Sequence, residues 1–239
     1  MKKLIKNKKG QFIIIAFLMI AMMIISIGAL MHGAVTYYKH EPWGEYLTLI
    51  GSIELNSRRL VELSLANYTY TQDNNTLRAN LQKWQNDLTR IYRGYGIALN
   101  YTLGSDTNYN YYLGLACDWN KTASFSAANA AFTLNITSIG LTGYKFVATT
   151  FLSLRILSPP ANDMINVTVT REDGMPITNL KTENFQVNGL KPLDVTSSCY
   201  NETYPIIYTI ECNETITEPV TAKIWDERGI QVTAKYSQT

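Results

Sequence analysis

Asparagine followed two residues later by threonine recurs at Asn67, Asn74, Asn100, Asn120, Asn135, Asn166, Asn201 and Asn213. In an exported chain this triplet is the acceptor for N-linked glycan. Eight of the 20 asparagines carry it, against roughly three expected from the serine and threonine content. Glycan on several of these sites is therefore the expectation, although a Thr- and Asn-rich chain also makes such triplets by accident. Thiol chemistry is limited to Cys117, Cys199 and Cys212. In an oxidising exterior Cys199 and Cys212 are the natural pair. Closing that short loop stabilises by about 3 kcal/mol in the chain-entropy account. Cys117 is expected as a buried thiol, with an intermolecular link as the alternative.

Other reactive groups do not converge. The two histidines, His32 and His40, lie in and beside an apolar run. There is no Cys-x-x-Cys or Cys/His cluster, so no zinc site is expected. Nucleophile-elbow, metalloprotease, P-loop and dinucleotide-binding patterns do not occur. Asp226-Glu227 would need a third ligand to hold calcium. These readings give no metal, no cofactor and no enzymatic activity.

What positions this chemistry is set by the N-terminus. Lys2, Lys3, Lys6, Lys8 and Lys9 precede Gly10-Gln11, and an uncharged apolar run follows from Phe12 to Gly33. As a helix this run is about 33 Å long, enough to cross a hydrocarbon core of ~30 Å. Its basic flank lies on the N-terminal side, which places that end in the cytoplasm and the bulk outside. The run exceeds a secretory h-region, and only Met31-His32-Gly33-Ala34 follows where a small-residue cleavage site belongs. A retained single-pass helix in the cell membrane is expected. Net charge is +2, less than the leader lysines supply, so the exterior is mildly acidic. That argues against nucleic acid as the main partner.

Past the membrane, Pro42 predicts a break near His40-Glu41-Pro42 and a second, amphipathic helix from about Trp43 to Ala66. A third helix carries Leu77, Leu81, Trp84, Leu88, Ile91 and Tyr95 at spacings of three and four, and Gly94 and Gly96 stop it. The period then changes to two. Ile97–Leu103, Tyr111–Cys117, Phe132–Ile136 and Phe146–Leu157 read as strands of a meander. Ser158-Pro159-Pro160-Ala161-Asn162 reads as a stiff linker. Beyond it, short strands are expected at Ile165–Thr170, Phe185–Val187, Leu193–Ser197, Ile206–Cys212, Val220–Trp225 and Gln231–Lys235. The fold class is α+β. Its expected parts are a leader (1–10), a membrane or filament helix (11–40), a helical and antiparallel β domain (41–157), the linker (158–162) and an immunoglobulin-like β-sandwich (163–239).

Lys8-Lys9-Gly10-Gln11, running directly into the apolar segment, resembles the class III signal peptide of archaeal type IV pilin-like proteins. The resemblance covers roughly residues 1–40. It implies a membrane prepilin peptidase as partner, cutting the Gly10–Gln11 bond and leaving Gln11 as the first mature residue. It also implies that the mature helix, Phe12 to about Leu30, bundles with copies of itself or other pilins in a filament core. Bacterial pilins carry glutamate at the fifth mature position. Ile15 stands there in this chain, which turns the resemblance towards the archaeal members. The resemblance implies a cell-surface structural or adhesion protein. The alternative is a non-polymerising, single-pass signal-anchored protein whose β-sandwich serves as a binding or spacer module.

Overall fold

The computed structural model describes residues 8–39, 43–157, 162–198 and 206–237. It contains two compact units, Met1–Gly51 and Ser52–Thr239. In the first, helix α1 runs from Lys8 to Lys39. Its interior is rich in Ile, Leu, Met and Ala, with no proline, and its lone serine in the apolar stretch back-bonds within the helix (Ser26 Oγ to Met22 O, 2.8 Å). The break expected at His40-Glu41-Pro42 lies outside the described residues. Helix α2 starts at Trp43, as expected, but continues to Thr71 rather than Ala66. The added turn is supported by the hydroxyls of Thr69 and Thr71, which donate to Ala66 O and Asn67 O. Gln72, at φ 56°, ends the helix.

In the second unit α2 buries Ile53, Ser57, Val61, Ser64 and Leu65, a stripe spaced by three and four. The two serines serve the packing of helix α3 (Thr76–Ile91). Ser57 Oγ accepts from Trp84 Nε1 at 3.1 Å and Ser64 Oγ from Asn80 Nδ2 at 2.9 Å. From its side α3 buries Leu77, Leu81 and Leu88. Each such leucine contributes about 1.5–3 kcal/mol on leaving water. Gly96, left-handed at φ 61°, turns the chain into the sheet.

Ten strands follow among the described residues: β1 (Ile97–Leu103), β2 (Leu115–Asp118), β3 (Ala123–Ile136), β4 (Leu141–Ile156), β5 (Met164–Arg171), β6 (Phe185–Val187), β7 (Asp194–Ser198), β8 (Ile207–Glu211), β9 (Val220–Trp225) and β10 (Gln231–Tyr236). One sheet has the order β1-β3-β4-β5-β8-β7, with β2 also paired to β3; the other is β10-β9-β6. All pairings are antiparallel. On β3 every even-numbered residue from Ser124 to Ile136 is buried. Opposite them on β4 the even-numbered residues from Phe146 to Ile156 are buried as well. The C-terminal strand β10 packs against β3 and β4, fixed by Ser126 Oγ donating to Gln231 O at 2.6 Å. Helix α2 joins the same assembly through Tyr144 Oη to Glu54 (2.9 Å) and Gln231 N to Thr69 Oγ1 (3.2 Å).

The six strands expected after the linker all form, with ends shifted by one residue at most. Several expectations change. The strand expected at Tyr111–Cys117 forms only over Leu115–Asp118, because Leu113 is left-handed at φ 49° and breaks the extended chain before it. Strand β4 starts at Leu141, ahead of the expected Phe146. Strand β3 begins at Ala123, nine residues before the expected start at Phe132. Its first half, Ala-Ser-Phe-Ser-Ala-Ala-Asn-Ala-Ala, has weak strand propensity, but partners on both sides supply the pairing. The linker also does not divide the sheet. Leu152–Ile156 of β4 pair with Val167–Arg171 of β5, so strands from both expected domains lie in one sheet and Ser52–Thr239 is one compact unit. Residues 158–161 lie outside the described residues.

Candidate functional site

The sequence draws attention to the N-terminal helix, and α1 runs without interruption from Lys8 to Lys39. Ile14–His32 is long and apolar enough to cross a membrane, and none of it is buried. Phe17 and Leu30, on different sides of the helix, are each 74% exposed. In water so much apolar surface calls for a cover of lipid or protein. The backbone of Lys8, Lys9, Gly10 and Gln11 forms the first turn of α1; their side chains lie outside the description.

The sequons separate into groups. Asn67, Asn74, Asn100, Asn120 and Asn213 are exposed. Asn135 and Asn166 are half-buried, their Oδ1 atoms accepting from Gly143 N (2.7 Å) and Thr209 Oγ1 (2.8 Å). Asn201 lies outside the described residues. The sequon of Asn67 is unusual because its threonine, Thr69, is buried and its hydroxyl is held between Ala66 O and Gln231 N.

Among the cysteines, Cys117 donates to Ser126 Oγ at 3.4 Å. Burial pushes its thiol up to about 11, as suits an unreactive interior group. Cys212 is a half-buried free thiol, raised in pKa by burial and then by Asp163. Cys199, its expected partner, lies outside the described residues.

The acidic pair Asp226-Glu227 has a structural use. Asp226 is buried and accepts from Arg228 Nε (2.7 Å), Arg228 N (3.0 Å) and Ile230 N (3.0 Å). Arg228 reaches on to Glu172 Oε1 (2.6 Å) and Phe151 O (3.2 Å). Burial works against the charge of Arg228, but Asp226 and Glu172 outweigh it and raise its pKa. The cluster fastens the β9–β10 turn to β4 and the end of β5. Among the described residues no three His, Cys, Asp or Glu side chains are grouped to hold a metal.

One feature had no sequence signal. The 104–112 segment folds over the odd-numbered face of β3 and β4, where Tyr109 stacks on Phe151 (5.4 Å between centroids) and contacts Phe125 (4.6 Å). Beside these rings is a trough of about 570 Å³ bordered by Arg58, Asp106, Asn108, Thr149 and Asp173. Alternating aromatics in the sequence foretold packing, but not that three segments of chain would bring rings and carboxylates together. Nearby, Tyr111 Oη is buried with no hydrogen-bond partner among the described residues, and burial, then Asp106, pushes its pKa up to about 12.

No protein-family model matches this chain, and no curated protein or solved structure matches it either.

Proposed function

We propose that the chain is a pilin-like cell-surface protein, processed by a prepilin peptidase after Gly10 and anchored or assembled through α1. One observation carries the reading: a helix apolar on every side, Ile14–His32, is entered directly through Lys8-Lys9-Gly10-Gln11. A continuous apolar surface suits lipid before assembly and a bundle of like helices after it. The exposed sequons fit a head displayed outside the cell, where glycan adds the solvation that a low charge content does not supply.

The immunoglobulin-like reading of the C-terminal part belongs to the same proposal, with a changed boundary. The strand orders β4-β5-β8-β7 and β6-β9-β10 follow those of ABED and CFG in a constant-type domain, which supports the reading. In this reading β4 takes the place of strand A, so the module borrows a strand from the helical half and serves as a rigid display platform.

Electron microscopy of material sheared from the cell surface, labelled with antibody to the Ser52–Thr239 head, tests assembly. Labelled filaments support it. Recovery solely in detergent-extracted membrane overturns assembly and selects the signal-anchored alternative.

A further inference from the structure

The trough beside Tyr109 and Phe151 combines features that surface packing does not require. Its aromatic side is Phe151 of β4 and Tyr109 of the 104–112 segment, which stack with 23° between their planes; Phe125 of β3, which does not border the trough, packs 5.8 Å from Phe151 between centroids. Its polar side is fixed in advance. Asn129, 1% exposed, accepts at Oδ1 from Ser105 N (2.9 Å), Ser105 Oγ (2.9 Å) and Asp106 N (3.3 Å). Its Nδ2 donates to Thr149 Oγ1 at 2.9 Å, and Thr149 borders the trough. One buried amide thereby sets both the segment that brings Asp106 and Asn108 and the strand residue facing them. The opposite wall is set by Glu172, whose carboxylate is occupied by Arg228 (2.6 Å) and Phe151 N (2.8 Å). Asp173 follows it in a left-handed turn at φ 60°. Asp106 and Asp173 have no ion-pair partner among the described residues.

The chemistry of these walls selects a ligand class. A volume of about 570 Å³ is that of a small-molecule site. The ring faces carry negative quadrupole and attract polarised C–H groups. Carboxylate, amide and hydroxyl groups around them accept from and donate to hydroxyls. Arg58 also borders the trough, but its guanidinium is held by Glu54 at 2.9 Å, so Asp106 and Asp173 set the local sign and disfavour an anion; a wholly apolar ligand would desolvate both carboxylates without compensation. A molecule with apolar C–H faces and a hydroxylated rim satisfies both sides. We propose that this trough binds a neutral saccharide, with one pyranose ring against the Tyr109–Phe151 pair and its hydroxyls held by Asp106, Asn108 and Asp173. The site lies wholly within the head and does not depend on leader processing or filament assembly.

Saturation-transfer NMR on the full chain in lipid nanodiscs tests this, with cellobiose, maltose, mannobiose and N,N′-diacetylchitobiose as probes. At least one is expected to receive saturation on its ring protons, with a Kd in the roughly millimolar range that suits a shallow, solvent-open site. Tyr109→Ala is expected to weaken it about tenfold, the loss of one stacking face. Asp173→Asn, which the left-handed backbone accepts readily, is expected to weaken it about threefold with an unchanged melting temperature. Should Tyr109→Ala not fold, Asp173→Asn alone decides. Absence of transfer to all four sugars, transfer unaltered in Asp173→Asn, or tighter binding of tetramethylammonium than of any sugar overturns the proposal.

Discussion

Helices α1 and α3 make opposite use of the same periodic backbone. Along Ile14–His32 apolar residues occupy every side and stay exposed. Along Thr76–Ile91 a stripe of Leu77, Leu81 and Leu88 is buried, while Lys83, Asn86 and Arg90 face water. The second pattern is closed: the chain supplies its own cover. The first is open and needs a cover from outside, lipid or other helices. The head likewise satisfies its most costly charges internally, through Asp226, Arg228 and Glu172. The contrast divides the labour. The apolar surface of α1 is covered by what surrounds the chain, and stability of the head rests on what the chain encloses.

Substitutions can separate these two roles. Arg228→Ala should have the largest effect, lowering head stability by about 3–5 kcal/mol because buried Asp226 is left unpaired. A shifted urea midpoint with unchanged membrane extraction is the expected outcome. Ile24→Lys, in the middle of the exposed apolar span, should cost about 3 kcal/mol of membrane insertion, measured in a translocon assay. The head's urea midpoint should stay where it is. A fall in that midpoint would break the comparison, because it would make α1 part of the head's own core.

A pH series sharpens the interior side. The folded Cys117 thiol sits at about 11 against an ordinary 9. The unfolded chain therefore ionises first. The contribution is complete below pH 9 and is lost as pH rises towards 11, by about 2–3 kcal/mol. The urea stability of the native chain relative to Cys117→Ala should fall by that amount over the interval and stay flat below it. Tyr111→Phe gives the smallest effect and the opposite sign. Removing a buried hydroxyl that has no partner should raise stability by about 1 kcal/mol, seen as a higher melting temperature.

Local regularity made part of this molecule legible. The period of three and four exposed α3, and the alternation of Val, Ile and Thr exposed the C-terminal strands. Ile91, expected on the buried stripe, is 62% exposed because α3 ends there. The start of β3 was hidden because its Ala and Ser residues are strand-like only between two partners. The continuity of β4 into β5 was hidden because Pro159-Pro160 resembles a boundary, whereas pairing across it is decided by tertiary contact. Arg228 with Glu172, and Tyr109 with Phe151, join segments 56 and 42 residues apart, and no local pattern encodes such meetings. The proposed processing motif Lys8-Lys9-Gly10-Gln11 is the reverse case: it consists of four adjacent residues and is read without the fold of the head.

The central claim is that α1 is freed of its leader to be anchored or assembled. Intact mass and N-terminal peptide mass of the native, membrane-extracted protein test it most directly. The account predicts a chain beginning at Gln11, with the terminal glutamine cyclised. A native chain that retains Met1 or Lys2 would contradict it.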